Sequence, residues 1–375
     1  MYDILIVGSG LFGSVFARCA AEHGKKCLVI EKRDNIGGNC YTKKSTSGID
    51  VHMYGPHIFH TNDKFIWDWV NRFAEFEHTA FSPVANNNGK IYSLPFNMWT
   101  FNQLWGVETA HEAKEKIKSQ SYTLAPKNSL ENHAISSVGK TIYNKLIKGY
   151  TKKQWGVDPS ELPASIIKRL PLRFEWDSRY FNDKYEGIPI NGYTSMIENI
   201  LDHENIDIQL NTCYLQNKHS LNKYANTIVY TGPIDAYFNY SEGDLNYRSL
   251  RWEHRQYDQD VFQGCAVMNY TDEDTPYTRV IEHKLFLKAN RPKVKSTVIS
   301  VEYPDEYSRG KEAYYPCYDE ESKSRYSKYK EMALKEKNVI FGGRLAEYKY
   351  YDMHQVIASA LNKSKKFLSD ANKIR

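Results

Sequence analysis

The sequence predicts an α/β fold on three features near its start: a wholly apolar run, a spaced set of glycines opening a helix, and an acid closing a second apolar run. Ile4-Leu5-Ile6-Val7 has the composition of a strand covered on both faces in a parallel sheet. Gly8, Gly10 and Gly13 follow at GxGxxG spacing, with Phe12 inside the motif. Leu11 to His23 reads as the helix, and Gly24 stands where a left-handed C-cap is favoured. Cys27-Leu28-Val29-Ile30 is the second strand and ends on Glu31. Such a βαβ unit is Rossmann-like. Its glycines allow the tight turn and a close backbone approach to a pyrophosphate whose charge rests on the helix N-terminus. Glu31, eighteen residues past Gly13, is placed to accept hydrogen bonds from an adenosine ribose.

Later elements follow from their own patterns. Asn86-Asn87-Asn88-Gly89 reads as a hairpin turn. Thr100 to Lys168 is helical in pattern, and Gly187 to Tyr193 leads into a further helix. Asn226 to Gly232 reads as a buried strand closed by the Thr231-Gly232-Pro233 turn. Alternating stretches between Tyr247 and Tyr303, Phe262 to Met268 among them, suit an antiparallel sheet. Asp319 to Lys337 is charge-dense and reads as a solvated helix. Val339-Ile340-Phe341 is a strand entering the turn Gly342-Gly343-Arg344. Met353, Val356, Ile357, Ala360 and Leu361 then recur as the stripe of an amphipathic helix with Asp352 at its N-cap.

Composition excludes several classes. At 375 residues the chain fits two or three packed units, and 41% hydrophobic with 25% charged residues is the balance of a globular protein. A net charge of +5 lacks the concentrated basic footprint of a nucleic-acid binder. No apolar run approaches the ~20 residues of a membrane span. The opening MYDILIVGSG has no charged n-region or cleavage site, so no signal peptide is expected. Six scattered cysteines without a CxxC pair fit reduced cytoplasmic thiols rather than disulfides or zinc. His57 and His60 are spaced HxxH, but no acid or cysteine stands at ligand spacing, so no metal is expected. The unusual number is 29 tyrosines, which suit either an aromatic core or a surface that stacks on a ring and hydrogen-bonds its edge.

The order Glu31-Lys32-Arg33, then Gly37-Gly38-Asn39, resembles the FAD-dependent amine oxidase-like superfamily, where a glycine pair after the ribose-binding acid lines the pyrophosphate. Longer motifs narrow this: Tyr54-Gly55-Pro56-His57-Ile58-Phe59-His60-Thr61, Leu94-Pro95-Phe96-Asn97, Gly149-Tyr150-Thr151-Lys152-Lys153-Gln154-Trp155-Gly156 and Tyr350-Tyr351-Asp352-Met353-His354. Together they resemble the bacterial UDP-galactopyranose mutases, from the first residues to about residue 365. The resemblance implies a Rossmann-like FAD-binding domain with an inserted helical domain and a twisted antiparallel β-sheet. The FAD domain would take residues 1–75, 205–240 and 335–375, and the helical domain, with a mobile substrate lid, 100–170. The sheet domain would take 76–99, 171–204 and 245–320. It further implies a cytoplasmic homodimer that supplies galactofuranose for cell-surface polysaccharide.

The implied reaction interconverts UDP-galactopyranose and UDP-galactofuranose without net redox change. Reduced FAD attacks the anomeric carbon through N5, UDP leaves, and the sugar ring opens on a covalent flavin adduct and recloses through another hydroxyl. By motif match the diphosphate arginines are Arg169 and Arg279, and His57 lies beside the flavin. Tyr150, Trp155, Tyr180 and Phe181 match the uridine pocket, and Asn269, Tyr315 and Tyr350 match contacts near the sugar and diphosphate. Cofactor contacts fall on Gly8, Gly10, Phe12, Gly13, Glu31, Lys32, Gly38, Asn39, Gly55 and His57, and on Gly232, Gly343, Arg344, Asp352, Met353 and Val356. One departure stands out: many bacterial members carry Asn before a Ser-Pro pair where this chain has Phe81. Two other readings stay open: a flavin-dependent amine oxidase-like oxidoreductase, which would need an apolar substrate tunnel, and a silent nucleotide-sugar binder.

Overall fold

The apolar run that opens the chain becomes the centre of a parallel sheet. The structure, a computed structural model, describes residues 1–123, 128–167, 172–317 and 319–373. Across the sheet the strand order is Ile206–Gln209, Cys27–Ile30, Tyr2–Val7, Ala225–Tyr230 and Val339–Phe341, with every pairing parallel. Alternation sends Ile4, Ile6 and Val29 to one face and Leu5, Leu28 and Ile30 to the other, and both faces are covered. On the first face the helix Leu11–Ala21 packs between Gly192–Leu201 and Met353–Lys373. Val15, Phe16 and Ile357 are fully buried there, each contributing about 1.5–3 kcal/mol.

A second sheet runs Tyr315–Pro316, Tyr247–Tyr257, Thr297–Glu306, Arg279–Glu282, Val267–Tyr270, Val84–Asn87 and Lys90–Ser93. Its pairings are antiparallel with one exception: Val267–Tyr270 pairs in parallel with Val84–Asn87. The Asn88-Gly89 turn has φ of 51° and 81°, the paired left-handed geometry of a tight hairpin. The expected strand over Phe262 to Met268 begins only at Val267. Gly264 has φ +77°, which breaks the extended chain, and the N–H groups of Phe262 and Gln263 donate to the Glu282 carboxylate, each at 2.8 Å.

The helical part comprises Met98–Trp105, Ala110–Gln120 and Leu130–Ile142, the last interrupted at Gly139. Asn97 and Thr109 close capping boxes on the first two. A π-turn over Tyr143–Lys148 then leads into Gly149–Trp155, the helix that carries Tyr150 and Trp155. The charge-dense segment is a helix over Glu320–Lys335, capped by Asp319.

Candidate active site

The GxGxxG turn is shaped by contacts that exclude side chains. Gly8 has φ +102°, and a Cβ on Gly13 would lie 2.0 Å from the Gly8 carbonyl oxygen. A Cβ on Gly38 would come within 2.9 Å of the Gly10 Cα, so the second glycine pair sits directly over the first turn. Gly10 is the N-cap of Leu11–Ala21 and offers no side-chain cap, which leaves first-turn N–H groups for an anion. Glu31 Oε2 accepts from the Ser9 N–H (3.0 Å) and hydroxyl (2.8 Å), and Oε1 from the Arg33 N–H at 3.1 Å. These bonds fix the carboxylate at the strand end and leave lone pairs to spare.

Phe12 turns its ring inward, so it offers this cradle only backbone; a Cβ on Gly342 would meet that ring at 2.0 Å. Lys32 and Arg33 both grip Glu312, each at 2.8 Å, and Asn39 Oδ1 accepts from Arg33 at 3.0 Å. Arg33 also lies over the Tyr54 ring at 4.2 Å, and its buried Nη1 has no hydrogen-bond partner among the described residues. At the other end, a Cβ on Gly232 would meet the Tyr230 hydroxyl at 2.6 Å, and Gly343 has φ +86° against Phe12. Asp352 directly precedes the helix that begins at Met353; the Met353 sulfur touches Cys40, and Val356 is buried. Arg344 donates to the Tyr351 carbonyl at 2.6 Å.

The second sheet supplies the polar centre. In register, Asn269 stands opposite Arg279, Arg279 opposite Glu302, and Glu302 opposite Trp252, which puts the four side chains in one row on one face. Glu302 is fully buried and takes Arg279 Nε at 2.9 Å on both oxygens, with Nη2 also bonded. Burial opposes the charge on Arg279, but Glu302, with Tyr150 and Tyr315 beside it, drives its pKa well above the ordinary value. Trp252 closes the row under Gly55, 3.2 Å from where a Cβ would be, and donates to the Tyr314 hydroxyl at 3.1 Å.

Aromatic rings wall this centre. Tyr315 stacks on Tyr350 with centroids 5.3 Å apart, and Arg344 lies over both rings. Burial pushes the Tyr150 and Tyr315 hydroxyls up, so both remain neutral donors. Tyr150 lies near Tyr180, which packs edge-on to Phe181 and Phe81. Phe181 in turn stacks on His60 at 3.8 Å. Phe81 is pinned by its backbone, donating to Glu186 Oε1 at 2.8 Å and accepting from the Tyr180 N–H at 2.7 Å. The helix bearing Tyr150 and Trp155 is tethered as well. Lys153 donates to the carbonyls of Tyr270, Thr275 and Tyr277, and Arg248 Nε donates to the Gln154 carbonyl at 3.0 Å.

His57 Nδ1 donates to the Gly55 carbonyl at 2.7 Å, which leaves Nε2 as an acceptor when the ring is neutral. Burial lowers its pKa to about 4, and Arg344 and Arg279 both push in the same direction. This one ring is thus within reach of the cradle's Arg344 and the sheet's Arg279. His60 turns away and pairs with Asp183, so the HxxH pair does not converge.

Comparisons with known proteins agree with this geometry. The chain is 43% identical to a probable UDP-galactopyranose mutase of Klebsiella pneumoniae, over 98% of this chain and 95% of that protein. A family model described as UDP-galactopyranose mutase matches residues 145–350, and one for an NAD(P)-binding Rossmann-like domain matches residues 6–73. The chain belongs to the UDP-galactopyranose mutase family. A dTDP-fucopyranose mutase of Escherichia coli is 40% identical over 96% of this chain and 97% of that one. A solved structure of a reduced UDP-galactopyranose mutase shares the fold, with a TM-score of 0.77 at 13% identity, covering 98% and 94% of the two chains.

Membership in the UDP-galactopyranose mutase family makes the protein an isomerase and implies a flavin. The cradle fits such a group: the opposed Gly10 and Gly38, the uncapped helix start, and the buried Nη1 of Arg33 are all arrangements that a bound dinucleotide would complete. Arg169 lies outside the described residues. The Arg173 guanidinium is spent on the Phe181 carbonyl (3.0 Å) and on Asn182. Sequence reasoning missed Glu302, Trp252 and Glu186, whose partners Arg279, Tyr314 and Phe81 stand far off in the chain and in no local motif. No helix of the described residues is long and apolar enough to cross a membrane.

Proposed function

We propose that the protein interconverts UDP-galactopyranose and UDP-galactofuranose on reduced FAD. The observation that carries this reading is the row Asn269–Arg279–Glu302, beside Tyr150 and Tyr315 with Tyr350 stacked on Tyr315: the Arg279 guanidinium, held charged, stands among tyrosine hydroxyls. FAD, when bound and reduced, would supply through N5 the nucleophile for the anomeric carbon. Arg279, together with Arg169, holds the diphosphate so that UDP can leave and return without diffusing away. The hydroxyls of Tyr315 and Tyr350 orient that diphosphate without adding charge. Tyr150, Trp155, Tyr180 and Phe181 hold the uridine by stacking and edge contacts, and Asn269 reaches the sugar side. His57 presents an unprotonated Nε2 beside the flavin, where it can accept a proton. A flavin oxidoreductase acting on an amine would find a charged cation at the centre of its site instead of an apolar tunnel.

The test is direct. Reduce the protein with dithionite, add UDP-galactofuranose, and chromatograph for UDP-galactopyranose. Conversion is expected only with reductant; no conversion under reduction would sink the reading.

A second reading has a specific observation behind it. Phe81 puts an apolar ring against Tyr180 and Phe181 where many bacterial members carry Asn, and one relative is named for a deoxythymidine nucleotide of fucose. Running the same assay with dTDP-fucofuranose separates the two substrates by the ratio of their kcat/KM values.

A further inference from the structure

Behind the substrate row lies a second row on the same face, two residues further along each strand. Val267 stands opposite Ile281, Ile281 opposite Ser300, and Ser300 opposite His254. From it a chain of hydrogen bonds runs to the Gly55–His57 turn. The His57 N–H donates to His52 Nδ1 at 3.2 Å, and the His52 N–H donates to His283 Nδ1 at 3.2 Å. His283 Nε2 then meets Ser300 Oγ at 2.5 Å, and Ser300 Oγ meets His254 Nδ1 at 2.7 Å.

Because each Nδ1 of His52 and His283 accepts a main-chain N–H, both rings must be unprotonated there. His283 therefore carries its proton on Nε2 and donates it to Ser300, whose own proton goes to His254. Burial keeps His52 and His283 neutral, at 3% exposure each. The His52 ring is fixed from its faces too, stacked on Phe286 at 4.9 Å and edge-on to Tyr193.

We propose that His52 is a positioning residue for His57: the His52–His283–Ser300–His254 chain fixes the main chain of the Gly55–His57 turn, and with it the tautomer and aim of the His57 ring. This rests on the reading that His57 works beside the flavin. It makes the second sheet the frame for both halves of the reaction. Arg279 is held by one row and His57 by the next.

Two variants test it in the FAD-loaded protein. His52→Phe keeps a ring to stack on Phe286 and removes the Nδ1 acceptor, whereas His52→Asn gives up the ring and keeps an acceptor near the Nδ1 position. The expected result is a loss in kcat of about tenfold or more for His52→Phe, with KM for the nucleotide sugar little changed, and partial recovery in His52→Asn. The second readout needs no turnover. In the nitrogen-15 spectrum of the imidazoles, wild type should show His57 as a single Nδ1-protonated ring, and His52→Phe should show mixed tautomers. Equal losses in both variants with the His57 signature unchanged would reduce His52 to packing and overturn the proposal. A wild-type protein inactive with every nucleotide sugar would overturn the functional reading alone, since the ring signals stand without it.

Discussion

Glu302 grips Arg279 along one edge, through Nε and Nη2, and Tyr150 and Tyr315 stand beside the same guanidinium. The carboxylate is wholly buried and also accepts from the Thr278 hydroxyl at 2.7 Å, so it cannot follow the guanidinium elsewhere. Glu302→Gln keeps the shape and removes the charge. Hydrogen bonds to charged groups are worth about 1.5–3 kcal/mol, so kcat/KM should fall roughly tenfold to a hundredfold with the fold intact. Steady-state assays beside circular dichroism check this; an unchanged kcat/KM would detach Glu302 from the site.

Arg279→Ala and Arg169→Ala should each abolish turnover while leaving the flavin bound, because both are proposed to hold the diphosphate of the nucleotide sugar and not the cofactor. Arg279→Lys should recover little, since an ammonium cannot present two parallel donors to a phosphate while still meeting both oxygens of Glu302. Flavin absorbance per mole of protein and single-turnover rates distinguish loss of cofactor from loss of chemistry.

Gly13→Ala should cost the cofactor rather than the substrate. Its new methyl would stand 2.0 Å from a backbone oxygen that has no free rotation to escape, so the turn itself must shift. The purified variant is expected to be nearly colourless and less stable to urea, even after incubation with excess FAD. A yellow variant of full stability would place the dinucleotide elsewhere.

Acid should weaken the fold from about pH 6.5 downward. Burial lowers the His52 pKa to about 3 and the His57 pKa to about 4, against 6.5 in the unfolded chain. Between pH 6.5 and about 4 the unfolded chain therefore binds protons that the folded one refuses. Stability is full above 6.5 and falls with pH, by about 1.4 kcal/mol per unit for each ring. Urea midpoints at pH 7, 6 and 5 measure the slope, and His52→Phe should make it shallower.

How much of this was legible from the residues depends on the range of the interactions involved. The glycine turn, Glu31, the strand Ala225–Tyr230 and the hairpin at Asn88-Gly89 are all local, and each shows in a window of ten residues. Asp352 ahead of the Met353 helix is legible for the same reason. Glu302 is not: it sits in Val301-Glu302-Tyr303, a stretch like many others, and gains its meaning only from standing opposite Arg279. His52 and His283 are 231 positions apart, and no spacing rule joins them. Phe262 to Ala266 misleads in the opposite sense, because its alternation is genuine but the left-handed Gly264 prevents the chain from extending.

The parallel sheet draws Val339–Phe341 beside Ala225–Tyr230, and that strand beside Tyr2–Val7. Roughly 330 residues of synthesis separate the first of these strands from the last, about 20–60 s at ordinary ribosomal rates. Until residue 230 is made the apolar Tyr2–Val7 strand lacks one neighbour, after that Ala225–Tyr230 lacks one, and the helix Met353–Lys373 that covers Val15 and Phe16 is made later still. The nascent chain therefore carries an unsheltered apolar edge that must be guarded until its closing strand and helix are made.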